Sequence, residues 1–216
     1  MHPWLSKYPI DKNSTRLIIG THPPMPYTAE LKYFYGNMYE FWRLLQIVYS
    51  NEKILVNNKP EINRILGFLS KYEFSITDIV YETYNAKFST DDEMQVKDLN
   101  PFLKNWLINS NIEEIYFTSF SGTNGALPLF KKWIKKEYGK KVKFPPEKSW
   151  NNYTTKLVIG EKEYKLIKLY SPSPTARRGI SRSPIYKLYL SKNLIKDADS
   201  FRVMLYKKLF PPEILS

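Results

Sequence analysis

The strongest constraint on the fold is an alternation of two hydrophobic periods along the chain. Short, nearly continuous apolar runs have the length and the β-branched or aromatic content of buried strands. They are Arg16-Leu17-Ile18-Ile19-Gly20, Phe74 to Val80, and Glu114-Ile115-Tyr116-Phe117-Thr118-Ser119. Between them, apolar residues recur at helical spacing. Phe41, Leu44, Leu45 and Val48 predict a helix starting after about Met38, and a second helix is expected over Glu61 to Lys71. Leu99, Phe102, Leu103, Trp106 and Leu107 mark one face of a third, with Pro101 near its first turn. After a turn at Ser121-Gly122-Thr123-Asn124-Gly125, Phe130, Trp133, Ile134 and Tyr138 continue as helix. Leu157-Val158-Ile159, Gly160-Glu161 and Tyr164 to Leu169 predict a hairpin feeding a final strand. Phe201, Met204, Leu205 and Leu209 predict a closing helix. This order implies an α/β fold, a three-layer αβα sandwich with a central, mostly parallel sheet, because parallel strands need crossovers that cover both faces. No repeat or low-complexity linker interrupts the chain, so residues 1–216 read as one domain.

Composition narrows the function classes. Lys and Arg number 33 against 21 Asp and Glu, a net charge of +12, which favours a polyanionic partner: nucleic acid first, an anionic membrane surface second. The chain contains no Cys, which excludes disulfides, a thiol nucleophile and thiolate metal sites. Two His leave little for an imidazole metal site, so neither a metal nor an organic cofactor is expected. Met1-His2-Pro3-Trp4 does not open a basic stretch followed by an apolar run, and no run approaches the roughly 20 residues that span a bilayer. A cytoplasmic, monomeric protein is the expectation.

In open parallel sheets, ligands bind beyond the carboxyl ends of the strands. Two loops of unusual composition leave strand ends, Gly20 to Gly36 and Ser171 to Ser183. In Gly20-Thr21-His22-Pro23-Pro24, glycine permits close backbone approach to a ligand and proline stiffens the exit. His22 either orients water or polarises a base, or is simply held in a turn by hydrogen bonds. Phe34 and Tyr35 precede a helix, where a ring can stack on a planar ligand, whereas Phe41 and Trp42 have the character of core. In Tyr170-Ser171-Pro172-Ser173-Pro174-Thr175-Ala176-Arg177-Arg178, hydroxyls and amides in a stiff turn suit phosphate oxygens, and paired arginines add charge. The alternative is a proline-rich surface loop with solvated arginines. Lys131, Lys132, Lys135, Lys136, Lys140, Lys141 and Lys143 either extend a nucleic-acid path or form the solvated face of a helix.

Taken in order, these segments resemble the uracil-DNA glycosylase superfamily, with the nearest likeness to its mismatch-specific and hypoxanthine-type branches. The resemblance rests on Gly20-Thr21-His22-Pro23, Phe34-Tyr35-Gly36-Asn37-Met38-Tyr39-Glu40-Phe41-Trp42, Thr77-Asp78 with Glu82-Thr83-Tyr84, the strand near Ile115 to Thr118, and Ser171-Pro172-Ser173-Pro174. It covers Arg16 to Gly179 and implies a uracil-DNA glycosylase-like fold. It also implies base flipping from damaged or mispaired double-stranded DNA and hydrolysis of the N-glycosidic bond, as a monofunctional DNA glycosylase of base-excision repair.

By the same resemblance, Phe34 and Tyr35 would contact the base, and Thr77 and Asp78 would lie on the strand that reads its edge. Ser171 and Ser173 would hold phosphates, and Arg177 or Arg178 would contact the backbone or fill the vacated space. The chain departs from the family where water is usually positioned. His22 stands in place of Asp or Asn, Tyr39 in place of the helix Asn, and Asn37 lies two residues before it. His22 and Asn37 are therefore the candidate catalytic residues. Ser171 stands where some branches carry His. Two other readings remain: a nucleic-acid-binding relative without hydrolysis, and a small nucleotide-binding α/β protein.

Overall fold

A computed structural model describes residues 1–37 and 39–212. The strands and helices are, in chain order, β1 (Arg16–Gly20), α1 (Tyr39–Val48), β2 (Leu55–Val56), β3 (Lys59–Pro60), α2 (Ile62–Lys71), β4 (Phe74–Asp78), β5 (Val80–Thr83) and β6 (Val96–Leu99). There follow α3 (Leu103–Ile108), β7 (Glu114–Phe117), α4 (Ala126–Tyr138), β8 (Thr154–Ile159), β9 (Lys162–Lys168), α5 (Arg177–Ile180), α6 (Pro184–Ser191) and α7 (Ala198–Leu209).

The central sheet has five strands in the order β4-β1-β7-β9-β8. Four are parallel, and β8 pairs antiparallel with β9 at one edge. The fold is therefore α/β with a mostly parallel sheet. Alternate residues of each strand enter two separate cores, as the period of two requires. Ile18, Phe74, Ile76, Tyr116 and Ile167 pack with α1, α2 and α7 on one face. Leu17, Ile19, Ile115, Phe117 and Leu166 pack with α3 and α4 on the other. Burial on both faces is why β1 and β7 read as continuous apolar runs rather than alternating ones.

Several boundaries differ from the sequence expectation. The run Phe74 to Val80 is not one strand: β4 ends at Asp78, and Val80 begins β5, which leaves the sheet to pair with β6 as a two-stranded ribbon. Leu99 belongs to that ribbon, so α3 starts only at Leu103. The loop Ser171 to Ser183 carries a short 3-10 turn over Pro174–Ala176 and then α5. Lys132, Lys135 and Lys136 lie on the solvated face of α4. Among the described residues, no helix is long and apolar enough to cross a membrane.

The chain passes from β1 to β4 on one side and then returns across β1 to β7 on the other. Consecutive connections thus diverge at β1, which makes the carboxyl ends of β1 and β7 the switch point where open sheets form a ligand crevice. The loops leaving Gly20, Asp78, Phe117 and Lys168 all emerge at this edge, because the four strands run the same way.

The last of these loops is tethered by a buried charge pair. Lys168 Nζ lies 3.1 Å from Glu147 Oε1 and is enclosed by the rings of Phe120, Phe144 and Tyr153. Glu147 Oε2 accepts from Tyr170 at 3.1 Å and from Tyr153 and Ser183, each at 3.3 Å. Tyr170 and Ser183 flank the loop, so a single carboxylate fixes both of its ends. Glu147→Ala strands the Lys168 ammonium among aromatic rings and is expected to cost about 3–5 kcal/mol. Denaturant unfolding checks this, and a change below about 1 kcal/mol, the level of a surface ion pair, would show that the network does not hold the loop.

Candidate functional site

Register builds the site. Gly20 and Asp78 are partners in the parallel β1–β4 pair and stand side by side at the sheet's carboxyl edge. A Cβ on Gly20 would overlap Asp78 Oδ1 and lie 2.8 Å from Tyr35 Oη. Glycine at position 20 is therefore what allows the Asp78 carboxylate and the Tyr35 hydroxyl to converge over the end of β1.

Three groups fix this convergence. His2 Nδ1 accepts from the backbone amides of Trp4 at 3.0 Å and Leu5 at 3.3 Å. The proton of a neutral His2 ring must then reside on Nε2, which donates to Asp78 Oδ2 at 2.8 Å. The second oxygen, Asp78 Oδ1, has no hydrogen-bond partner among the described residues. Tyr35 Oη lies 2.8 Å from Thr118 Oγ1, which in turn lies 3.4 Å from the Ile19 carbonyl. Thr118 thus donates to Ile19 and accepts from Tyr35, bridging the ends of β1 and β7. Burial, then the Asp78 charge, push the Tyr35 phenol well above its usual range, so it remains a donor.

His22 sits beside this group at 8% exposure, its ring 4.8 Å from that of His2 and edge-on to it. Its Nδ1 lies 2.7 Å from the Pro23 carbonyl, an acceptor, so Nδ1 carries the proton and Nε2 is a lone-pair acceptor. Nε2 is buried without a partner. Burial, then the neighbouring His2, lower the His22 pKa from 6.5 to about 4, so the ring is neutral at physiological pH. Asp91 is the fifth titratable group here: Thr21 Oγ1 donates to its Oδ1 at 2.7 Å.

The other residues singled out from the sequence stand as follows. Phe34 is only 1% exposed, and His2 covers one face of its ring at 5.7 Å and 33°. A base can stack on Phe34 only if His2 is displaced. The Tyr35 ring is already stacked on Phe41 at 4.1 Å, leaving its hydroxyl as the available group. Thr77 points away from Asp78, as neighbours on a strand must, and is fully buried; its hydroxyl accepts from Asn100 Nδ2 at 3.1 Å. It links β4 to the start of α3 rather than lining the crevice. Asn37 is exposed.

In the last loop, Ser171 Oγ accepts from the Ser173 amide at 3.2 Å, and Ser173 Oγ lies 2.9 Å from Thr175 Oγ1. Both hydroxyls brace the turn. Arg177 is exposed and forms a two-pronged ion pair with Asp199, at 2.7 and 3.3 Å. Arg178 is exposed and has no ion-pair partner among the described residues. Beneath the loop, the buried Arg202 guanidinium donates to the Pro172 carbonyl and lies 3.4 Å from Asp199.

Sequence patterning did not single out His2, Asp91, Glu147 or Arg202. His2 had one available signal, that it is one of only two histidines. Asp91 lies in the acidic run Asp91-Asp92-Glu93, which reads as solvated surface. No model of a known family matches the chain, and no curated protein is similar enough to it to count as a relative.

The neutrality of His22 has a measurable consequence. Its folded-state pKa, about 4, lies below the unfolded value of 6.5, so the unfolded chain binds more protons between those limits. Stability is thus lost as pH falls from about 6.5 to about 4, by about 3 kcal/mol in all. His22→Phe removes this titration. Its unfolding free energy relative to wild type should rise across that window, and a constant difference from pH 7 to pH 4 would refute the buried, neutral assignment.

Proposed function

We propose that this protein is a uracil-DNA glycosylase-like enzyme that hydrolyses the N-glycosidic bond of a damaged or mispaired base flipped out of double-stranded DNA. The observation that carries the reading is the buried, unpartnered His22 Nε2, edge-on to the His2 ring that holds Oδ2 of Asp78 and leaves that carboxylate's other oxygen as a second acceptor. A water molecule between two acceptors donates a hydrogen to each and turns a lone pair outward, the orientation needed to attack an anomeric carbon. The nearby carboxylate also favours the positive charge that the sugar develops as the base departs. Further support comes from the net charge of +12 and from Arg178 and Arg182, exposed near the same edge. In this reading Ser171, Ser173 and the loop backbone hold phosphates, with the Glu147–Lys168 pair keeping the loop in place. The Tyr35 hydroxyl, its proton given to Thr118, offers the flipped nucleotide an acceptor.

A second reading, a nucleic-acid-binding relative without hydrolysis, is favoured by one observation: His2 covers the Phe34 ring where the resemblance expects a base.

The test is excision on labelled duplexes holding uracil, hypoxanthine, xanthine or mismatched thymine, scored as abasic sites. Product is expected from at least one duplex, and His22→Ala should lower its rate by about 100-fold or more. Duplex binding should weaken steeply with salt, and Arg178→Glu with Arg182→Glu should weaken it further. Salt-sensitive binding with no abasic product from any duplex would establish the second reading instead.

A further inference from the structure

A second carboxylate borders the crevice, and nothing so far assigns it a role. Asp91 lies in the segment between β5 and β6, yet it is drawn against the end of β1 by the 2.7 Å hydrogen bond from Thr21 Oγ1. Its backbone is anchored independently. Asn124 Nδ2, from the loop after β7, donates to the carbonyls of Asp91 at 3.1 Å and Met94 at 2.7 Å. Asp91 is thus held on both sides of the β1–β7 opening. Its Oδ2 has no partner among the described residues.

The environments of the two carboxylates differ in kind. Asp78 receives a proton-bearing nitrogen from His2, whereas among the described residues no cation pairs with Asp91. The titratable and charged groups around Asp91 are Asp78 at the end of β4, Asp92 beside it, and the Tyr35 phenol, with the Thr21 hydroxyl from the β1 exit. All of the ionisable ones carry negative charge or none.

We propose that Asp91 is a catalytic residue that donates a proton to the departing base, and that the base is accordingly one with a basic ring nitrogen, a purine rather than a pyrimidine. This rests on the glycosylase reading above. Burial raises the Asp91 pKa from 3.8 to about 6, with Asp78 and Asp92 adding to the rise and the Thr21 hydrogen bond opposing it. Two carboxylates with such different surroundings divide naturally into an acid and a base.

The step balances as follows. The Asp91 carboxyl proton passes to N7 of the purine. The bond between the anomeric carbon and N9 breaks, its electron pair going to the now neutral base. Water adds its oxygen to the anomeric carbon and loses a proton to Asp78. Asp91 ends as carboxylate and Asp78 as acid, and exchange with solvent restores both. A pyrimidine such as uracil has no basic ring nitrogen to receive the first proton, so Asp91 gives it no assistance.

The experiment uses the full chain under single-turnover conditions, with hypoxanthine and uracil duplexes of the same sequence, from pH 5 to 8.5. Hypoxanthine excision should exceed uracil excision and fall about tenfold per unit above about pH 6, as the protonated fraction of Asp91 falls. Asp91→Asn should abolish that limb and lower hypoxanthine excision by about 100-fold at pH 6, a loss at least about tenfold larger than on the uracil duplex. A readout independent of turnover accompanies it. The folded state disfavours the ionised Asp91 above about pH 6, so Asp91→Asn should raise the unfolding midpoint more at pH 7.5 than at pH 5. Equal losses on both duplexes, or an unchanged pH limb in the variant, would overturn the role of Asp91 and leave the glycosylase reading standing. Abasic product from no duplex at all would overturn both. Should Asp91→Asn fail to fold, the wild-type data decide: a flat profile or a preference for uracil overturns the proposal.

Discussion

The geometry of the site depends on one missing side chain. Gly20 ends β1 at the position that faces Asp78 across the parallel register, and any Cβ there would collide with the Asp78 carboxylate. Everything else at the crevice follows from that permitted approach. Asp78 lies flat over the strand end and meets His2. Tyr35 reaches across to Thr118 and ties β1 to β7. Thr21, one residue on, is left facing Asp91. A strand that gave way to a bulkier residue at this point would push the four ionisable groups apart.

Electrostatics at the crevice is managed by neutrality rather than by pairing. His22 is kept neutral by burial and Asp91 is pushed toward its neutral form by burial and by Asp78. Their effects on stability oppose each other as pH falls: the buried His22 loses stability toward about pH 4, while relief of the Asp91 charge regains it below about pH 6. Polar groups left without partners in a buried position are costly, and they persist where they have work to do. The neighbouring loop is built on the opposite principle. There, Glu147 pairs with Lys168 and accepts three further hydrogen bonds, with aromatic rings around the ammonium. A hydrogen-bonded carboxylate thus supports the loop, while the buried His22 Nε2 has no partner among the described residues.

The elements were legible to the extent that local pattern decides them. The β1, β7 and β9 strands and the α1, α2, α4 and α7 helices lie where apolar periodicity puts them, because each buries a face continuous in sequence. The departure at Asp78 to Val80 was not legible, since Ile79 and Val80 are as apolar as the strand before them. They stay buried, but in the ribbon against β6. Thr77 and Asp78 illustrate the same limit. Adjacent in sequence and alike in motif, they face opposite sides of the sheet, so only Asp78 reaches the crevice while Thr77 holds Asn100.

The sequence by itself determined the α/β class, the order of the main elements and the two loops of unusual composition that leave strand ends. These follow from hydrophobic period and from glycine and proline punctuation, which act over a few residues. It also determined the basic charge that suits a polyanion. Only the tertiary structure decided which side chains share the site. His2 and Asp78 are 76 residues apart, Thr21 and Asp91 are 70 apart, and Tyr35 and Thr118 are 83 apart. Contacts over such separations arise from parallel register and crossover topology, which bring distant strand ends to one edge. No periodicity along the chain encodes them.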